Sequence, residues 1–214
     1  MTAKAKIQSS DVLLAVDVQN DFCYGGALAV PDGDAVVEII NRLSVAFDHV
    51  ILTQDWHPRG HASFASSHPG RKPHDTVTLH YGEQTLWPDH CVQGTHGAEF
   101  HSGLRLNKAE LVLRKGFRPS IDSYSAIYEN DHSTSTGLAG YLRERSLRRI
   151  FLAGLAYDFC VRYSAEDAKR AGFEVCVIED ACRAIDLNGS RADTSRTLNS
   201  LGITELTVQS LVPG

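Results

Sequence analysis

Three residue types that together make a nucleophile and its base stand at comparable places in this chain. Asp17 follows the apolar run 11–16, Lys115 closes the run that begins at Glu110, and Cys160 comes shortly after the run 149–153. Each run is too short for a helix and reads as a strand. In a parallel sheet the carboxyl ends of the strands share one edge, and that edge is where ligands bind. A carboxylate there could take a thiol proton and later return it to a leaving amine, while the ammonium favours both anionic partners. A helix reads behind the cysteine from Ser164, and a place at its N-terminus predicts a thiol of lowered pKa. Taken singly, each residue has a plainer reading: Asp17 as a turn or cap, Lys115 as a solvated strand end, Cys160 as an inert buried thiol. Their matching places favour chemistry.

A second set lies nearby in sequence. Asp55-Trp56-His57 puts a carboxylate and an imidazole at alternate positions, which share a face in extended geometry. Eight of the ten histidines fall between His57 and His101. His90, with His61 as a further candidate, completes an oxygen-and-nitrogen donor set suited to Zn, Fe or Mn. Ordinary loop polarity competes with this reading for the Asp-x-His pair alone. Phe22 and Trp87 flank both sets; packing is their plain role, and such faces also hold a flat aromatic ligand.

The elements that must position these residues alternate. Strands are expected at 11–16, 50–53, 110–116, 149–153, 173–178 and 205–208. Helices are expected from Pro31–Asp34 through Phe47, with Val36, Val37, Ile40 and Leu43 on one face, and near 137–145, 164–170 and 193–201. Strands alternating with helices predict an α/β, three-layer αβα domain with a six-stranded, mainly parallel central sheet. One domain over residues 1–214 is expected. It carries a histidine-rich insertion at about 58–107 that is too long to be an idle loop.

Composition narrows the function classes. The 214 residues are 43% hydrophobic, and 26 acidic against 21 basic residues leave a formal charge of -5, which argues against nonspecific nucleic-acid binding. No apolar run reaches the length of a membrane span, and Met1–Lys6 lacks the apolar core of a signal peptide. Five cysteines without a C-x-x-C pair read as reduced thiols of a cytoplasmic protein. No glycine-rich dinucleotide fingerprint follows the first strand. Asn188-Gly189-Ser190 is a chance match to a glycosylation acceptor in that setting. The oligomeric state is open, a homo-oligomer included.

The combined motifs resemble the nicotinamidase (pyrazinamidase) family of isochorismatase-like cysteine hydrolases. They are D-V-Q-N-D-F at Asp17 to Phe22, D-W-H-P-x-x-H-x-S-F at Asp55 to Phe64, W-P-D-H-C-V-Q-G-T at Trp87 to Thr95, Lys115-Gly116, and G-L-A-Y-D-F-C-V-R at Gly154 to Arg162. The resemblance runs from about Asp11 to Val208 and implies the isochorismatase-like hydrolase fold. It implies a triad of Asp17, Lys115 and the nucleophile Cys160, with Asp55, His57 and His90 as ligands of one divalent metal, zinc first. His61 falls where some members use a further ligand and others a nearby hydrogen bond. Phe22 and Trp87 match positions that sandwich a pyridine ring, and Tyr124 lines the same pocket. A cis peptide at Leu155-Ala156 is implied, aiming the Ala156 N–H so that with the Cys160 N–H it forms an oxyanion hole. Tyr157 and Phe159 are assigned no chemistry, and His96 and His101 read as structural or incidental. The implied activity is hydrolysis of nicotinamide to nicotinate and ammonia through a thioester, in NAD salvage, with pyrazinamide as a further substrate. The competing functions are a carbamoyl-amide hydrolase of the same superfamily, a metallohydrolase in which Cys160 is a bystander, and a binding protein on an inactivated scaffold.

Overall fold

The computed structural model describes residues 5–105 and 107–212. A short strand β1 (Ala5–Lys6) leads to β2 (Asp11–Val16), in which every residue is buried. A strand buried on both faces must have sheet neighbours and a covering layer on each side. Helix α1 (Ala35–Ala46) and β3 (His49–Asp55) follow. A hairpin of β4 (Thr76–Leu79) and β5 (Gly82–Thr85) lies within the histidine-rich segment, and β6 (Ala109–Lys115) comes after it. The rest of the chain runs α2 (Leu138–Glu144), β7 (Arg149–Leu155), α3 (Arg162–Arg170), β8 (Glu174–Arg183), α4 (Ser190–Ser200), β9 (Thr204–Leu206) and β10 (Leu211–Val212).

Six strands form the central sheet in the order β6-β3-β2-β7-β8-β9, and every neighbouring pair is parallel. The sheet expected to be mainly parallel is thus wholly so. Alternation along β2 divides the core. Leu13 and Ala15 join Val36, Val37, Ile40 and Leu43 of α1 on one face. Val12, Leu14 and Val16 join Leu138 and Leu142 of α2, Ala165 and Ala168 of α3, and Leu198 of α4 on the other. At roughly 1.5–3 kcal/mol for each large apolar side chain removed from water, the four α1 residues alone contribute about 6–12 kcal/mol before chain entropy is charged.

Several boundaries differ from the sequence reading. Strand β8 continues to Arg183, well past Ile178, because the exposed pair Glu179-Asp180 interrupts its apolar pattern while pairing with β7 resumes after a register shift. Helix α4 begins three residues before Asp193, at Ser190. Strand β9 ends at Leu206, since Val208 opens a 3₁₀ turn. β1 and β10 pair in a separate two-stranded sheet too short for a periodic signal. Among the described residues no helix is long and apolar enough to cross a membrane.

Candidate active site

Four adjacent strands deliver the reactive groups to one edge. In the order of the sheet these are Lys115 at the end of β6, Asp55 at the end of β3, Asp17 just past β2, and Cys160 in the turn after β7. All four are buried. Asp17 takes a left-handed backbone (φ 47°), a conformation that aspartate tolerates better than most residues.

The hydrogen bonds give Asp17 two unlike oxygens. Thr53 of the neighbouring strand donates its hydroxyl to Oδ1 at 2.7 Å and accepts the Asp17 backbone N–H at 3.1 Å. Oδ2 stands 2.9 Å from Lys115 Nζ, in a buried ion pair. Lys115 Nζ also reaches Asp55 Oδ1 at 3.1 Å, the Ser123 carbonyl at 2.9 Å and Cys160 Sγ at 3.4 Å. A carboxylate oxygen has two lone pairs, so beside the ammonium Oδ2 keeps room to accept a proton.

Burial raises the pKa of Asp17, with Lys115 opposing and Asp55 adding to the rise. Burial also works against the Lys115 ammonium, yet Asp17, Asp55 and Cys160 outweigh it and hold the lysine well above its usual value. For Cys160, burial pushes the thiol well up; Lys115 opposes this while Asp17 and Asp55 reinforce it. This reverses the lowered pKa expected from a helix N-terminus. A π-helical turn, Tyr157–Val161, separates the cysteine from the start of α3 at Arg162, and desolvation beside two carboxylates dominates. The resting sulfur is a thiol, and a thiolate forms there only when a base takes the proton.

The Asp-x-His pair and His90 converge as the sequence predicts. Asp55 Oδ2 lies 3.0 Å from His57 Nε2 and 3.4 Å from His90 Nε2. His57 Nδ1 faces the Gly116 carbonyl at 2.9 Å and His90 Nδ1 faces the Pro88 carbonyl at 2.8 Å. Carbonyls only accept, so each Nδ1 carries the proton and each Nε2 turns toward the carboxylate. Three donors crowded in this way need a shared cation or a proton. Burial opposes charge on both Asp55 and His57, but their mutual attraction holds the carboxyl well below its usual range and lifts the imidazole. The oxygen-and-nitrogen donor set fits a divalent ion.

His61, the further candidate, offers a ligand atom within 4.8 Å of ligand atoms of His57 and Asp122. Its Nδ1 meets Ser63 Oγ at 2.7 Å, and its Nε2 faces the carbonyls of Arg118 (2.9 Å) and Ile121 (3.2 Å). With both nitrogens engaged, the ring packs on His57 at 4.3 Å between centroids and buttresses it.

The motif residues between the reactive ones fix the scaffold. Gln19 clasps the backbone of Asp55, accepting its N–H at 2.8 Å and donating to its carbonyl at 2.9 Å. Asp21 accepts the N–H of Cys91, the residue after His90, at 2.7 Å. At Gly116 (φ 66°) a Cβ would lie 2.5 Å from the His57 ring and 3.0 Å from Asp55 Oδ1, so only glycine lets β6 end this close to both.

A tight cavity of about 20 Å³, room for little more than a water, opens above these groups. Phe22, Trp87 and Tyr124 line it as expected, together with His90 and Cys160. Phe22 meets His90 edge-on at 5.5 Å. Tyr124 accepts hydrogen bonds on its hydroxyl oxygen from Trp87 Nε1 (2.9 Å) and Gln84 Nε2 (2.8 Å), which fixes both rings. Ala156 borders the cavity, and the Leu155-Ala156 peptide is cis.

Sequence reasoning missed several lining residues. Phe159, given no role, stands edge-on to Trp87 at 4.9 Å and to Tyr124 at 5.7 Å. Asp122 lines the cavity 3.9 Å from His57 Nε2. Leu28 and Ile185 also border it. Phe159 is adjacent to Cys160, yet an irregular turn has no periodicity that would reveal where its ring goes. Tyr157, on the same turn, points away to Glu205.

The chain is similar to known proteins over nearly its whole length. The isochorismatase domain matches residues 11–208. A nicotinamidase from Acinetobacter baylyi is 48% identical over 209 residues, covering 98% of each chain. The structure of PnC1 from L. infantum in complex with nicotinate is 39% identical with a TM-score of 0.86, covering 98% of each chain. The structure of a pyrazinamidase from Pyrococcus horikoshii in complex with zinc is 32% identical with a TM-score of 0.75, covering 92% of this chain and 99% of that one. Fold, motifs and identity agree: the chain belongs to the nicotinamidase/pyrazinamidase family of isochorismatase-domain amide hydrolases.

Proposed function

We propose that this protein hydrolyses nicotinamide to nicotinate and ammonia by a cysteine mechanism, and accepts pyrazinamide in the same pocket. The observation that carries the proposal is the Asp17–Lys115–Cys160 cluster, with the acceptor-only Oδ2 of Asp17 beside a neutral thiol, at the floor of an aromatic cavity. A relative bound to nicotinate supports the substrate class.

Asp17 Oδ2 takes the Cys160 proton, and the thiolate attacks the carboxamide carbon. The developing oxyanion is received by the backbone N–H groups of Ala156 and Cys160, a kind of contact worth about 2.7–4 kcal/mol per donor in other enzymes. Protonated Asp17 then gives its proton to the departing ammonia, leaving a thioester. Asp17, again a carboxylate, draws a proton from the incoming water; hydrolysis releases nicotinate and restores the thiol. Lys115 stays charged throughout: it keeps Asp17 and Asp55 ionised before the proton moves and faces the thiolate once Asp17 has taken it. Phe22, Trp87, Tyr124 and Phe159 hold the ring in plane. Asp55, His57 and His90 would hold one divalent metal, zinc first, which when bound supplies a Lewis-acid seat for the pyridine nitrogen. His61 positions His57.

A place in NAD salvage follows from that substrate. The five free thiols support the reading as a cytoplasmic protein. The test is incubation with nicotinamide while ammonia and nicotinate are followed, with and without a chelator. Cys160→Ala should abolish ammonia release while bound metal is retained; near-normal turnover in that variant sinks the thiol mechanism.

A further inference from the structure

Away from the cavity, a second group of metal-ligating side chains comes together. Cys23 Sγ, a carboxylate oxygen of Asp34 and a ring nitrogen of His101 all lie within 4.8 Å of one another. They belong to three separate pieces of chain. Cys23 follows the 3₁₀ turn Asn20–Phe22, Asp34 is the N-cap of α1, and His101 lies near the end of the histidine-rich segment. Asp34 Oδ1 is 3.4 Å from His101 Nε2, and its Oδ2 accepts the Tyr24 backbone N–H at 2.8 Å. Cys23 is buried, His101 half-buried and Asp34 exposed, so the group has one protein side and one solvent side. The hydrolytic mechanism uses none of the three.

We infer that Cys23, Asp34 and His101 form a second metal site, suited to zinc and separate from the Asp55–His57–His90 set. One sulfur, one imidazole nitrogen and one carboxylate oxygen are ligand types that zinc takes in tetrahedral sites, with a water at the fourth, open position. Donors around tetrahedral zinc stand about 3.2–3.8 Å apart, given bonds of about 2.0–2.3 Å. The Asp34–His101 separation already falls in that range, and the sulfur lies within 4.8 Å of both. Without an ion only two of the three groups pair: His101 accepts the Gly103 N–H on Nδ1 and faces Asp34 through Nε2, and Cys23 takes no part in that pair. Burial, then the Asp34 carboxylate, pushes the Cys23 thiol up to about 12, so the sulfur beside that carboxylate is neither a charge partner nor a strong donor.

Ligation balances simply. The Cys23 S–H bond breaks, its proton leaves to solvent, and the sulfur pair forms the bond to the ion. His101 would bind through Nε2 with its proton on Nδ1. The Gly103 N–H now meets Nδ1 at 3.1 Å and would turn to water, which its exposed position allows. No electron is transferred. Because Cys23 directly follows Phe22, such an ion would tie one wall of the cavity to α1 and to the histidine-rich segment.

Cobalt(II) tests the site, since only a thiolate ligand gives a sulfur-to-cobalt charge-transfer band in the near ultraviolet. The full chain carrying Cys160→Ala, which removes the nucleophilic thiol, is stripped with chelator and titrated with Co²⁺, and substitution of Cys23 distinguishes its band from any due to Cys91, beside His90. The expected result is two equivalents bound, one of them with the band. Cys23→Ser on that background should lose the band and one equivalent. His101→Gln, at a half-buried surface position that leaves the core intact, should do the same. Binding of a single equivalent without the band overturns the inference, as does a band that survives both substitutions. A single equivalent carrying the band supports this site and counts instead against metal at Asp55, His57 and His90.

Discussion

Replacing Lys115 by methionine is the perturbation that most directly probes how the catalytic edge is held. The side chain keeps its length and loses its charge. Two buried carboxylates then remain, 2.9 and 3.1 Å from where the ammonium stood. At an effective dielectric of about 20 each contact is worth roughly 5–6 kcal/mol of gross attraction, most of which offsets desolvation of the three ions. The net cost of removing one partner of a buried pair is about 3–5 kcal/mol. For a chain of this size that lowers the melting temperature by roughly 6–20 °C. The cost stays in that range because Asp17 can take up a proton. Its pKa is already raised by burial, and Lys115 is the chief influence lowering it. Without the lysine the folded-state pKa climbs further above the unfolded value. A carboxyl raised in this way contributes stability at low pH that is lost as pH rises through its folded pKa. The gap between wild type and Lys115→Met should therefore widen from about pH 4 toward neutrality. Ammonia release at neutral pH should fall by about 10²–10⁴, the usual worth of a general base, because Asp17 is then protonated before it can act. Urea unfolding between about pH 5 and 8, read alongside ammonia release, measures both effects. A deficit below about 1 kcal/mol that does not vary with pH would refute the electrostatic account.

Other residues give separable readouts. Gly116→Ala pushes a methyl group into the His57 ring and should weaken metal binding by about 10–100-fold in a chelator competition, with the fold retained. Phe159→Ala removes an edge-on aromatic contact worth about 0.5–1.5 kcal/mol, so KM for nicotinamide should rise about 2–12-fold with a smaller change in kcat. Burial holds the Cys182 thiol at about 12 against an ordinary value of 9.0, so the stability it contributes is present below pH 9 and lost as pH rises toward 12. Circular dichroism across that window should show an alkaline loss of up to about 4 kcal/mol that Cys182→Ala reduces. Asp158 accepts the N–H groups of Ile185 (3.0 Å) and Asp186 (2.7 Å) and the Ser190 hydroxyl. Asp158→Ala should release the Ile185 side of the cavity and raise KM, and an unchanged KM would show that this loop holds itself.

Much of the architecture is legible in local sequence because its causes are local. Asp11–Val16 is apolar at every interior position, so it had to be a strand covered on both faces, and the residue after it had to fall at the sheet edge. The Asp-x-His alternation set two ligands on one face, and His90 lies with them. Strand β8 shows where that legibility stops: Glu179-Asp180 breaks the pattern, and only pairing with β7 carries the strand on to Arg183.

The sequence by itself determined which chemical groups reach the edge of the sheet, because burial periodicity and strand length depend on neighbours along the chain. Tertiary structure alone decided what state those groups are in. That Cys160 rests as a thiol follows from desolvation beside Asp17 and Asp55. That Asp17 meets the Lys115 ammonium on one oxygen and the Thr53 hydroxyl on the other follows from how β6, β3 and β2 lie side by side. That His61 packs on His57 with a serine and two carbonyls around its nitrogens follows from how distant segments meet. Proton affinity and hydrogen-bond assignment are set by dielectric and direction in three dimensions, and neither is written in the spacing of residues along the chain.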